Sequence, residues 1–227
     1  MGILSSLAKR GGKSAAPRIG KIAPGATEDF LQKALAGAVR GGGPFDSAEK
    51  VSTEALAEAD GDVDAAIEAL IASHTRLAGV QGFLTNIGGV VTSVVSIPAN
   101  VSGLVVLQLR MHAAIARLHG LDLTDPGVRA ALLVTLLGHD ATEELVKDKE
   151  LPGNARWLVG NGDAGPETGR RVAAAVAAAL IGALGGKQLA STVGKRVPVF
   201  GGVVGAATDA RATKRLGKEA AQDLRPA

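Results

Sequence analysis

Residues 77–109 read LAGVQGFLTNIGGVVTSVVSIPANVSGLVVLQL, and no charged side chain occurs between Arg76 and Arg110. A transmembrane helix needs roughly 20 predominantly apolar residues, so the length of this stretch raises the question of membrane insertion. Its Asn and Gln side chains argue against that, because an unsatisfied polar group in hydrocarbon is costly. We therefore predict a buried helical hairpin, with direct insertion into a bilayer as the alternative. The residues expected to line this apolar element are Gly88, Gly89, Val94, Pro98 and Val101.

The composition favours helices over sheets. Of 227 residues, 46% are hydrophobic but only 2% are aromatic, with four Phe, one Trp and no Tyr. Sheets usually use aromatic and β-branched pairs, so a core of Ala, Val, Leu and Ile indicates helix packing. The chain has no cysteine, which excludes disulfides, thiol catalysis and thiolate metal sites. The predicted fold is all-α, a single multi-helix bundle around the apolar hairpin.

Start and stop signals divide the chain into helices. Thr27 opens a helix that ends at Gly41, Asp46 with Glu49 is typical of a capping arrangement for the second, and Asp62 caps the third. A proline lies in the first turn of the second half of the hairpin, and Gly120 ends that helix. Asp125-Pro126 caps the next helix, and a loop is expected over 151–166. An alanine-rich helix follows over 170–183, and Pro198 interrupts the chain before the last helix. We expect a flexible basic arm over 1–26, a helical domain over 27–222 and a tail over 223–227.

Charge is distributed unevenly along the chain. Residues 1–27 hold basic side chains and no acid, whereas residues 46–68 hold acids against Lys50 alone. On the last helix, four basic residues recur at i, i+3, i+4 and i+7, which puts them on one face. Such a cluster gains about 1 kcal/mol per residue at an anionic leaflet, although a solvated face is the alternative. The residues predicted to meet an anionic surface are Lys9, Arg10, Lys13, Arg211, Lys214, Arg215 and Lys218.

Patterns that carry chemistry are missing from the sequence. The spacing of a phosphate-binding P-loop does not occur, and neither a GxSxG nucleophile elbow nor an HExxH metal motif is present. His112 and His119 share a helix face near Asp122, and they are the remaining candidates for an enzyme. Nucleic acid is disfavoured because the basic stretches lack aromatic residues for base stacking. We predict no catalytic residue, no metal and no cofactor.

Two charged residues interrupt apolar segments. Arg110 ends the uncharged stretch, and Asp209 lies within GGVVGAATDA. A lone charge at an apolar boundary is expensive unless it is paired. We therefore predict a contact between Arg110 and Asp209.

The order of several motifs resembles the EcsC family of bacterial proteins, over roughly residues 48–220. In that family a Gly-Phe-rich segment leads through a proline to an arginine-bearing helix. A Gly-(Tyr/Leu)-Asp turn follows, and a Val-Pro-(Val/Leu)-x-Gly-Gly motif precedes a helix near the C-terminus. The matching residues are Gly82-Phe83, Pro98, Arg110, Gly120-Leu121-Asp122, Val197-Pro198 and Gly201-Gly202, with Leu121 in place of the commoner aromatic. The basic arm lies outside this resemblance. The resemblance implies a hydrophobic, membrane-associated protein linked to an ABC transporter and to secretion, without an established catalytic residue set.

The sequence therefore predicts a non-enzymatic helical protein that binds lipid or an anionic membrane surface. Because the N-terminus lacks a secretory signal, we expect it in the cytoplasm, peripherally associated with the inner face of the cell membrane. The alternative is a soluble interaction module that contacts a membrane protein or another copy of the chain. GxxxG spacings at Gly182 and Gly201 fit either tight internal packing or dimerisation.

Overall fold

The computed structural model describes residues 24–42, 46–79, 99–161, 164–184 and 206–226. These residues form helices packed together, with no β-strand in the described ranges, which confirms the all-α prediction. The helices are α1 (Pro24–Arg40), α2 (Ala48–Glu58), α3 (Val63–Gly79), α4 (Ala99–Leu118), α5 (Pro126–Val134), α6 (His139–Lys147), α7 (Ala155–Gly160), α8 (Pro166–Leu184) and α9 (Ala206–Asp223).

Helix α4 is the centre of the bundle. It packs against α1, α2, α3, α5 and α9, and every residue from 102 to 116 is buried. Most of these buried residues are apolar, as is typical of a central helix, although Gln108, Arg110 and His112 are buried among them. Each fully buried Leu or Ile contributes about 1.5–3 kcal/mol. The end of the uncharged stretch therefore forms the first half of the core helix, whereas its residues 80–98 lie outside the described ranges.

The helices around α4 have defined directions. Gln108 of α4 bonds Thr213 of α9 and His119 bonds the carbonyl of Ala221, so these two helices run parallel. Asp64, near the start of α3, pairs with Arg225, just beyond the end of α9, so α3 runs antiparallel to both. On the other side of the bundle, α1 packs against α8, and α5 packs against α7 and α8.

Local capping explains several helix boundaries. The side chain of Asp62 accepts the N–H of Ala65 at 3.0 Å, and that of Asp125 accepts two N–H groups in the first turn of α5. Gly120 ends α4 with φ +78°, a conformation that favours glycine. These three predictions are confirmed.

Two local predictions are wrong. Ser47, rather than Asp46, caps α2: its hydroxyl accepts the Lys50 N–H at 3.1 Å, while Asp46 pairs with the Lys50 ammonium group at 2.8 Å. The expected loop over 151–166 contains α7, which begins after Asn154, whose side chain accepts the N–H of Trp157 at 2.9 Å. Burial of Ala155 and Leu158 stabilises this short helix in spite of the surrounding Gly and Pro.

None of the described helices combines the length and the hydropathy that crossing a bilayer requires.

Candidate functional site

Helix α9 has a buried face and a basic outward face. Three apolar residues recur at the helical period and therefore share one face, which is buried against the bundle: Ala212, Leu216 and Ala220. The structure brings the four cations of this helix together on the outward side, where all are exposed: Arg211, Lys214, Arg215 and Lys218. We call these four residues the basic face.

A close approach fixes the rotation of α9. A Cβ atom at Gly217 would lie 2.9 Å from Cγ1 of Ile71 and 3.0 Å from Cε of Met111, so a larger residue at this position must displace these two side chains. Four positions earlier, the Gln108 amide donates to the Thr213 hydroxyl at 3.2 Å in the buried interface. The basic face is therefore directed outward by tight packing on the opposite side.

The basic face divides into two kinds of cation. Arg215 Nε donates to Glu219 Oε1 at 2.7 Å, and its Nη2 donates to Asp140 Oδ2 at 3.0 Å. The hydrogen bond with Glu219 is the main cause that raises the pKa of Arg215. The other three cations, Arg211, Lys214 and Lys218, form no ion pair with any residue in the described ranges. Arg215 is therefore neutralised locally, and the other three remain available to an anion.

The start of α6 is docked beside the basic face. The backbone N–H of His139 donates to Glu219 Oε2 at 3.0 Å, and the His139 ring donates from Nε2 to Asp223 Oδ2 at 2.9 Å. Gly138 precedes α6 and supplies no side-chain cap, so Glu219 satisfies an N–H group that the helix leaves free. Burial raises the pKa of Asp223, and the nearby His139 opposes that rise.

A shallow depression of about 430 Å³, open to solvent, lies beside these contacts. It is lined by the whole basic face together with His139, Glu219 and Gln222. Four of its seven lining residues are cations and one is a carboxylate, so the depression is complementary to an anion.

An exposed tryptophan in α7 follows an arginine that contacts α9. Trp157 is 44% exposed and is the one large hydrophobic side chain exposed in the part of the chain that the structure describes. Its neighbour Arg156 donates to the carbonyl of Gln222, which lines the depression, at 2.6 Å. Sequence reasoning missed His139 and Glu219 as members of the site. The Arg215–Glu219 spacing of four residues is the signal that could have indicated one of them.

Most other predicted site residues lie outside the described ranges: Lys9, Arg10, Lys13, Gly88, Gly89, Val94 and Pro98. Val101 lies in the first turn of α4. Of the GxxxG glycines, Gly182 lies in α8, whereas the glycines at 186, 201 and 205 lie outside those ranges.

The predicted pair of Arg110 and Asp209 stays a prediction. Arg110 is 8% exposed in α4, and burial lowers its pKa while the charge of Asp46 opposes that effect. Asp209 is half-buried in the first turn of α9, and burial raises its pKa.

Two histidines are structural members of the core. The ring Nδ1 of His74 donates to the carbonyl of Leu70 at 2.9 Å. The Thr135 hydroxyl donates to the carbonyl of Leu132, so the ring Nδ1 of His112 must donate to Thr135 Oγ1, at 2.8 Å. Burial is the main cause that lowers the pKa of His74 to about 4 and that of His112 to about 3.

The residues considered for an enzyme engage different partners. His112 bonds Thr135 inside the core, and His119 bonds the carbonyl of Ala221. Asp122 is exposed and accepts the backbone N–H of Thr124, which lowers its pKa. Within the described ranges, no three His, Asp or Glu side chains are grouped so that they could hold a metal ion.

The comparisons with known proteins agree with the motif order. The model of the EcsC protein family matches residues 4–225. The match begins well before residue 48, so it includes most of the basic arm, which the motif resemblance left out. No curated protein and no solved structure matches the chain. Because the family match covers nearly the whole sequence, the chain belongs to the EcsC protein family.

Proposed function

We propose that this protein is a non-enzymatic, peripheral membrane protein that binds anionic lipid through the basic face of α9. The observation that carries the proposal is the set of three outward cations, Arg211, Lys214 and Lys218, without acidic partners in the described ranges. The basic residues of the N-terminal arm, Lys9, Arg10 and Lys13, add to the same attraction. We place it at the cytoplasmic face of the cell membrane, where the family resemblance suggests a link to a transporter or to secretion.

The three cations make a measurable contribution to the free energy of binding. Each Lys or Arg near an anionic leaflet contributes about 1 kcal/mol, so the three contribute about 3 kcal/mol, or roughly a hundredfold in affinity. Arg215 contributes less, because Glu219 and Asp140 already neutralise it. The attraction is screened beyond about 8 Å at physiological ionic strength, so binding must weaken as salt is added.

The test is co-sedimentation with vesicles of phosphatidylcholine alone or with phosphatidylglycerol. The test variant is R211Q/K214Q/K218Q. The control is K33Q/K147Q/R170Q, which changes exposed cations on α1, α6 and α8. Each variant removes three positive charges from a chain of formal net charge +3, so their total charges are matched.

We expect the wild type and the control to bind the anionic vesicles, and the test variant to bind them roughly a hundredfold more weakly. Equal losses in both variants would show that overall charge, rather than the face of α9, attracts the lipid. A wild type that fails to bind at low salt would refute the proposal.

The second candidate is an interaction module, and the acidic surface of α2 and α3 favours it. The carboxylates between residues 46 and 68 are exposed, and Glu54, Glu58 and Glu68 extend along this surface. It is complementary in charge to the basic face of α9, so two copies can associate head to tail. Light scattering at low salt tests this: a mass above 22.8 kDa that falls on E54Q/E58Q/E68Q substitution supports association, whereas a constant monomer mass contradicts it.

A further inference from the structure

We infer that the depression beside α9 binds one phosphate monoester group, rather than only a diffuse anionic surface. This inference deepens the proposed function and rests on it, because the same face of α9 supplies the ligand's partners. The chemistry is that of a terminal phosphate with three free oxygens, carried either by a lipid headgroup or by a soluble compound.

The spacing of the three available cations suits one compact ligand. Arg211 and Lys218 are seven residues apart, which is about 10 Å along a helix, and Lys214 lies between them. Side chains as long as Arg and Lys can bend from both ends toward a group above Lys214. A phosphate monoester offers three strong acceptor oxygens, one for each cation. A phosphodiester, as in phosphatidylglycerol, has only two free oxygens.

The net positive charge of the depression favours the more highly charged ligand. Glu219 lines the depression and holds Arg215 and the N–H of His139 on its two oxygens. Two more acids are nearby, because Asp140 bonds Arg215 and Asp223 bonds His139. These acids repel an anion in proportion to its charge, and the cations attract it in the same proportion. Because cations outnumber the carboxylate in the lining, a monoester with its charge of about −1.5 to −2 at pH 7 is attracted more strongly than a monoanionic diester.

The hydrogen bonds of Arg215 also limit where the ligand lies. Arg215 lines the depression, but two of its N–H groups already donate to Glu219 and Asp140. The bond to Asp140 links α9 to α6. The part of the depression lined by Arg211, Lys214 and Lys218 is therefore the part that remains open to the phosphate. Arg215 has a positioning role, since it holds the wall formed by His139 and Glu219.

The experiment compares two kinds of vesicle with the same surface potential. One contains phosphatidic acid, a monoester, and the other contains enough phosphatidylglycerol, a diester, to match it. We expect the wild-type full chain to bind the monoester vesicles at least tenfold more tightly. K214Q should abolish this preference, and the matched control K33Q should preserve it. Circular dichroism at the same temperature verifies that both variants are folded.

A second arm separates the sources of the phosphate. Glycerol 3-phosphate is titrated into the protein without vesicles while the amide signals of α9 are followed by NMR. Shifts at residues 211–218 that disappear in K214Q establish the site for a soluble monoester. If the protein shows these shifts but binds neither kind of vesicle, the membrane function is overturned and this inference stands. Equal binding to the two vesicle types, without such shifts, overturns this inference and leaves the membrane function standing. Binding to neither vesicle, without shifts, overturns both.

Discussion

Acidification should destabilise this protein because two neutral histidines are buried in its core. The pKa of His74 is lowered to about 4 and that of His112 to about 3, from an ordinary value near 6.5. At pH 5 both rings are still neutral in the folded protein, whereas the unfolded chain has taken up protons on both. Stability is therefore complete above pH 6.5 and is lost as the pH falls below that value.

The magnitude follows from the difference in proton uptake. Between pH 6.5 and pH 5 each histidine costs the folded state about 1.4 kcal/mol per pH unit, or about 2 kcal/mol. The two together cost about 4 kcal/mol, a large part of the 5–15 kcal/mol that is usual for a domain. This result depends only on both folded-state pKa values lying below 5.

Urea unfolding followed by circular dichroism measures this effect between pH 7.5 and pH 5. We expect the two histidines to lower the free energy of unfolding of the wild type by about 4 kcal/mol over this range. Asp209 and Asp223 have raised pKa values and act in the opposite direction on acidification, so a variant must isolate the histidines. H74Q/H112Q should retain its stability at pH 5 better than the wild type by about 4 kcal/mol, relative to pH 7.5.

Burial also lowers the pKa of His119, but this side chain is partly exposed, so H119Q is the control for a smaller effect. Its pH profile should lie closer to that of the wild type than the profile of H74Q/H112Q does. If the wild type and H74Q/H112Q lose the same stability between pH 7.5 and pH 5, buried neutral histidines are not the cause.

Three further predictions concern packing, capping and the basic face. G217V should lower the free energy of unfolding by about 1–3 kcal/mol because its Cβ contacts Ile71 and Met111. The control G37A has open space around its Cβ, so it should be neutral or stabilising in the same urea titration. D125A should cost about 1 kcal/mol by removing the cap of α5, and equal melting temperatures of D125A and the wild type would contradict this role. R215Q should lower the free energy of unfolding by less than about 1 kcal/mol, because the Arg215 side chain is exposed in both of its ion pairs. It should also reduce vesicle affinity much less than K214Q does. An equal loss of affinity in the two variants would show that Arg215 also contacts the lipid.

The helical architecture could be predicted because its signals are local. The caps at Asp62 and Asp125 act on N–H groups two or three residues away, and Gly120 ends α4 through its own backbone conformation. The basic face of α9 follows from the helical period alone. Even where the signals were local, competition between adjacent residues decided the outcome: Ser47 displaced Asp46 as the cap of α2.

Short helices were harder to predict, because burial decides them. The segment around Trp157 has Gly, Pro and Asn on both sides and reads as a loop. It folds as α7 because Ala155 and Leu158 are buried against the bundle, and that stabilisation is not visible in the local sequence.

By itself, the sequence determined an all-α chain with a charge-free central segment and a basic stripe on its last helix. Only the tertiary structure decided which of those cations are available. Arg215 meets Asp140 across 75 residues of sequence, and His139 meets Asp223 across 84. Periodicity fixes the face of a helix on which a residue lies, because the backbone repeats. It does not fix the residue on another helix that neutralises its charge, because that depends on how the helices dock.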